Sequence, residues 1–222
     1  MREGTMNTTA VRAKRSLFSV LLIPAVDKTI AVVACLPLVW LVYLRFQAFG
    51  FDLPRVALAT NILVLVGTML VRRIPVRVTP NPLFWLLAFV ATYWPLLTIG
   101  IMSRGRPIAP NWITDGIALL GLATYLWARL SLGRNIGFVP AQRAIVTHGA
   151  YRYMRHPIYT GVFVSSFAVA LRSYSPSNAF LLALGILWLV IKSFVEEYFL
   201  RADPEYAAYL RRVRWRWLPG VV

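Results

Sequence analysis

Cysteine is almost absent from this sequence: Cys35 stands alone, inside an apolar run. No disulfide can close within the chain and no zinc site of clustered cysteines is available, so no metal site is expected. Acidic residues are scarce, eight against 24 Lys and Arg, and histidine occurs only as His148 and His156. Charged residues make up 14% of the chain and hydrophobic ones 59%, a balance that excludes an ordinary soluble domain of this length. The mean hydropathy of +0.63 is carried in long apolar runs. Those runs point to an integral membrane protein whose first partner is the lipid bilayer. A net charge of +16 invites a nucleic-acid partner. The arginines, however, fill short gaps between apolar runs rather than one patch or helix face. They read as membrane flanks, and no nucleic acid is expected.

Taken in order, residues 1–16 are polar and basic. Arg2, Arg12, Lys14 and Arg15 precede an apolar stretch in the manner of a signal peptide. No small-residue cleavage site follows and Lys28 interrupts, so a retained cytoplasmic leader is expected. Residues 17–26 are too short to span and read as interfacial. Spans are expected at 29–49, with Arg45 snorkelling at its end, and at 56–71, 83–102 and 112–132. Residues 133–155 have few long apolar side chains and read as a loop outside the lipid core. Apolar segments follow at 156–171 and 179–200, then a basic tail with Tyr206, Tyr209, Trp215 and Trp217. The expected fold is therefore all-α: a polytopic single domain over 1–222 with about six transmembrane helices. Its parts are a leader and interfacial segment to residue 28, four spans to 132, and a cofactor-binding region from 133 onward.

Positive charge sets the orientation. Arg45, Arg55, Arg104, Arg106 and Arg172 are the basic residues of one set of loops. The other set holds the leader, Arg72, Arg73 and Arg77, the arginines of 133–155 and those of the tail. That larger set belongs in the cytoplasm, with both termini. Only Lys14, Lys28 and Lys192 are lysine; the preference for arginine hints at a bacterial source, and then at an inner membrane.

Two polar features interrupt the apolar pattern. The first is 147–161, Thr-His-Gly-Ala-Tyr-Arg-Tyr-Met-Arg-His-Pro-Ile-Tyr-Thr-Gly, which holds both histidines. Pro157 suits a helix start. Arg155 and His156 lie beside first-turn amides, a place that favours a carboxylate or another anion. Gly149 permits a bend and Gly161 close helix packing. Tyr151, Arg152 and Tyr153, taken singly, read as interface anchors. The second feature is Glu196-Glu197, closing the last apolar run, where the bilayer and the helix dipole both disfavour negative charge. Either the pair is neutralised by Lys192, Arg211 or Arg212, or one carboxylate meets an ammonium or a ribose. Lys192 is one helical turn before Glu196. The two features are expected to meet around a small charged cofactor.

The joint pattern of Val146-Thr147-x-Gly149-x-Tyr151, Arg155-His156-Pro157-x-Tyr159-x-Gly161 and a distant Glu196-Glu197-x2-Leu200, with Tyr206 and Tyr209 beyond, resembles the isoprenylcysteine carboxyl methyltransferase family. Phospholipid N-methyltransferases are similar over the same motifs. The resemblance is confined to the C-terminal part; the first four spans match only in being apolar. It implies an integral membrane enzyme using S-adenosylmethionine without a Rossmann domain. It further implies that Tyr151, His156, Pro157, Ile158 and Tyr159 line the cofactor pocket, that the backbone of Ala144, Ile145 and Val146 lies beside the adenosine, and that Glu196 binds the cofactor. Lys192 falls where the prenylcysteine enzymes carry an arginine implicated in substrate binding. Two positions depart from the pattern. Arg143 replaces a frequent histidine, and Lys192 lacks the planar fork that grips a carboxylate at two points.

The residues suit such a cofactor. Glu196 matches its ammonium, the helix start with Arg155 and His156 its carboxylate, and tyrosines its adenine or cation. Alignment of the reactants is the main task of the protein, with His156 and Glu197 as the catalytic candidates. A prenylcysteine-like carboxylate acceptor needs no base. The amine of a phospholipid needs one, and His148 or Glu197 would serve. The acceptor, lipid or lipid-like, is expected to be amphipathic and to enter from the bilayer. Two other classes compete. A non-catalytic scaffold leaves the acidic pair unexplained, and a small transporter would rely on Asn61, Asp115 and Arg129 within the spans.

Overall fold

A computed structural model describes residues 24–98 and 100–221. The basic leader and most of the interfacial segment expected at 17–26 lie outside the described residues. Among the described residues there are seven α-helices: α1 (Pro24–Phe49), α2 (Leu53–Leu70), α3 (Pro82–Thr98), α4 (Asn111–Leu132), α5 (Pro157–Arg172), α6 (Pro176–Leu200) and α7 (Pro204–Arg212). Two short strands, β1 (Arg77–Val78) and β2 (Ala141–Gln142), pair antiparallel with Arg77 opposite Gln142.

Three helices are long and apolar enough to cross a membrane: α1, α2 and α6. α3 and α5 are apolar but shorter; at 17 and 16 residues they measure about 25 Å against a hydrocarbon core of about 30 Å. α4 has 22 residues but carries Asp115 and Arg129. Large apolar side chains such as Val33, Leu36, Trp40, Leu83, Leu86 and Leu120 point outward, the pattern of a protein whose solvent is lipid. The chain is an integral membrane protein.

Helix boundaries differ from the sequence reading where a charge finds a partner. α1 begins at Pro24, so Asp27 and Lys28 are helical rather than a boundary. Arg72 grips Asp27 with Nε at 3.0 Å and Nη2 at 2.5 Å. Lys28 Nζ donates to the carbonyls of Leu70 and Arg72. The start of α1 is thereby tied to the end of α2, and the polar residues cost the helix little. The other starts follow ordinary capping rules. The side chains of Asp52, Ser175 and Asp203 cap α2, α6 and α7, and each of these helices has a proline in its first turn. α7 was not foreseen within the basic tail.

α4 and α5 form the most extensive helix pair, running antiparallel. Gly161 makes this possible: a Cβ there would lie 2.7 Å from the Tyr125 amide nitrogen. Arg172, at the end of α5, pairs with Asp115 and bonds Thr114 at the start of α4, so Asp115 is an end-anchor of this pair. Arg45, expected to snorkel, is instead 9% exposed and turned inward.

The segment 133–155 is a loop, as its composition suggests, but a pinned one. Beyond the β1–β2 ladder, the Arg73 amide donates to the Arg134 carbonyl, and Arg143 Nε donates to that of Arg73. A single 3-10 turn, Gly149–Arg152, leads into α5, entered through Gly149 at φ +58°. The chain beyond α7 then folds back. The amides of Arg155 and His156 donate to the carbonyls of Trp215 and Arg216, and Thr160 Oγ1 donates to that of Trp217. The C-terminal tail thus covers the start of α5.

Candidate functional site

The pinned loop, the start of α5, the end of α6 and α7 enclose one end of a cavity of about 350 Å³ that continues between α1, α2, α3, α4 and α6. The volume lies in the range of small-molecule sites. Its wall near the loop includes Ala144, Ile145, Val146, Tyr151, Arg155, His156, Ile158, Tyr159, Lys192 and Glu196. The rest of the wall is mostly apolar.

The two adjacent glutamates do different things. Glu197 is 1% exposed and is not on the cavity wall. Its Oε1 lies 3.1 Å from His156 Nε2 and accepts from Arg216 Nε at 3.1 Å. Its Oε2 accepts from Arg216 Nη2 at 3.0 Å and Arg155 Nη1 at 3.3 Å. The two-point grip of Arg216 is the geometry in which an arginine–carboxylate pair is strongest. Arg155 also donates to the carbonyls of Val213 and Leu210. Glu197 is therefore a knot that fastens the end of α6 to the start of α5 and to the tail.

Glu196 faces the cavity. It accepts from the Tyr159 hydroxyl at 2.9 Å. Lys192 Nζ and His156 Nδ1 each stand 3.9 Å away. The His156 and Tyr159 rings stack at 5.4 Å with an interplanar angle of 3°, and Lys192 Nζ lies 5.8 Å from the Tyr159 ring centroid. A phenol and one ammonium at the edge of ion-pair distance leave this carboxylate able to receive a further cation. Among the described residues it is the only carboxylate on the wall.

Tyrosines furnish much of the remaining polar surface. Tyr209 donates to the Tyr151 carbonyl at 2.9 Å. Burial pushes the phenols of Tyr151, Tyr206 and Tyr209 up from their ordinary value, so they stay neutral donors. Arg143 also reaches the wall; burial, then the neighbouring Arg72 cation, lowers its guanidinium to about 10.

The sequence-derived candidates thus divide. Those at 144–146, Tyr151, Ile158, Tyr159, Lys192 and Glu196 meet on one cavity. Arg155 and His156 border it while bonding Glu197. Pro157 is buried without lining it. His148, the other base candidate, is exposed, and Glu197 is not on the wall. Arg211 and Arg212, considered as partners of the acidic pair, are exposed; Arg155 and Arg216 pair with Glu197 instead. The sequence reading missed Arg216, and nothing in the alternation of Arg and Trp over 214–217 singles it out. The same stretch lays its carbonyls over the start of α5, where an anion had been expected.

Residues 111–203 match a family model described as phospholipid methyltransferase. The match spans α4, α5 and α6, and so includes Arg155, His156 and Glu197 of the knot but not Arg216, together with much of the cavity wall. Comparison with curated proteins gives no match.

Proposed function

We propose that this membrane protein, whose residues 111–203 match the phospholipid methyltransferase family model, transfers a methyl group from S-adenosylmethionine to an amphipathic acceptor at the cytoplasmic face of the membrane. The observation that carries the reading is Glu196: a cavity-facing carboxylate with an incomplete set of partners, beside stacked His156 and Tyr159, at the mouth of an apolar chamber.

The donor set fits the cofactor. Glu196 would hold an ammonium or another cation, with Tyr159 keeping the carboxylate aimed at the cavity. The ring of Tyr151 and the edge of 144–146 offer a surface for a flat base. When bound, the cofactor supplies a methyl group activated on a sulfonium. The protein contributes position: the Glu197 knot sets His156 and Tyr159, and the tail shuts the loop end from water. The acceptor enters from the bilayer, with its apolar chain lying between α1, α2 and α4. A carboxylate acceptor needs no base; with Glu196 engaged by the donor's ammonium, a lipid amine would have to arrive already deprotonated.

The proposed topology has six spans, with α3, α4 and α5 crossing beside the three long helices and both termini cytoplasmic. Purified protein in detergent, given radiolabelled methyl donor and a total lipid extract, should move label into an organic-soluble product. Absence of labelled product together with absence of saturable donor binding by calorimetry would overturn the assignment.

A further inference from the structure

Glu196 answers a cation, but the basic groups beside it are not free to answer an acid. Arg155 already donates from each of its three nitrogens, and Lys192 faces Glu196. Arg129, on the last turn of α4, is different. It is 3% exposed and lies on the cavity wall. Its Nη2 donates to Thr68 Oγ1 on α2, and its guanidinium stands 5.4 Å from the Tyr125 ring centroid. Its Nε is buried without a hydrogen-bond partner. Among the described residues no carboxylate pairs with it, whereas Arg72, Arg155, Arg172, Lys192 and Arg216 each have one.

A buried guanidinium without a counter-ion is unfavourable, and a buried donor without an acceptor adds to that cost. Of the other buried side-chain groups without partners, the donor Arg45 Nε and the acceptors Asn61 Oδ1 and Asn135 Oδ1 belong to residues that line this cavity, whereas Trp188 Nε1 and Trp217 Nε1 do not. Much of the unmet hydrogen-bonding capacity is therefore on the cavity wall. The end of α4 is tied to the 149–152 turn, where the Ala150 amide donates to Ser131 Oγ at 3.1 Å, so Arg129 lies at the end of the chamber that Tyr151 lines.

We infer that Arg129, held by Thr68 and Tyr125, is a carboxylate-binding subsite of this cavity. The inference rests on the methyl-transfer reading for its choice of ligands. The carboxylate would come from one of two reactants, the amino-acid end of the methyl donor or an acidic amphipathic acceptor. In either case the planar fork of Arg129 supplies what Lys192 cannot, two donors for one acid group.

The test uses the full chain in detergent. Calorimetry compares S-adenosylmethionine with its decarboxylated analogue. Thermal melting compares dodecanoate, below its micelle concentration, with dodecanol. If the donor's carboxylate is held, wild-type protein favours the intact donor about tenfold or more, and Arg129→Gln removes that preference. If an acceptor's acid is held, dodecanoate raises the melting temperature more than dodecanol does, and Arg129→Gln loses only the acid's excess. Arg129→Lys, which keeps the charge, should fall between, and the wild-type comparisons stand even if the glutamine variant fails to fold. No discrimination by wild-type protein in either pair, or discrimination undiminished in both variants, would overturn the subsite. Loss of all donor binding in wild type with dodecanoate still preferred would sink the cofactor reading and leave the subsite standing.

Discussion

The end of α6 places two identical side chains in opposite circumstances. Glu197 sits in a closed knot where both oxygens are satisfied by three basic groups. Glu196, the preceding residue, looks into an open cavity with a phenol and a more distant ammonium. Successive residues on a helix point about 100° apart, enough to send one behind the wall and the other through it. The contrast separates holding the site together from using it. A fully partnered buried carboxylate has nothing left to offer a ligand, while a partly partnered one on a cavity wall does.

Removing the knot should have the largest effect. Glu197→Ala leaves Arg155, Arg216 and His156 facing one another in a buried place, and should cost about 3–5 kcal/mol. Detergent melting would show it, and an unchanged melting temperature would refute the knot. Glu196→Gln should leave folding and insertion intact yet weaken donor binding by about tenfold to a hundredfold, read by calorimetry. Undiminished binding would dissolve the contrast between the two glutamates. Tyr159→Phe removes the hydroxyl that aims Glu196, and a loss of about 0.5–1.5 kcal/mol in donor affinity is expected with melting almost unaltered. The smallest effect belongs to His148→Ala, an exposed position, whose stability should stay within about 0.5 kcal/mol of the parent. His156→Ala should lower methyl transfer far more than this variant does; the reverse order in a side-by-side rate assay would displace the site from the start of α5.

Much of this was legible in the residues themselves. The apolar runs, the abrupt polarity of 133–155, the proline start of α5 and the oddity of two acids closing a membrane helix are all local signals. Their reach ended wherever a partner came from far along the chain. Asp27 and Lys28 look like a boundary until Arg72 and the last carbonyls of α2 are placed against them. Arg45 looks like a snorkelling cation, yet its end of α1 is turned toward the chamber. The start of α5 looks open to an anion, but the amides of Arg155 and His156 are taken by the tail carbonyls of Trp215 and Arg216. Arg129 reads as one more arginine near a helix end, and only its neighbours reveal that it lacks a counter-ion.

The sequence by itself determined that this protein lives in lipid and that imidazole, phenol and carboxylate groups gather near one end of its last helices, because hydropathy and motif spacing are properties of short stretches. Only the tertiary structure decided which glutamate holds and which one faces the cavity, and that Arg129 is buried without an acid. Those outcomes depend on how the tail folds back over α5 and how closely α4 and α5 approach, distances set by packing among residues that are remote in the chain.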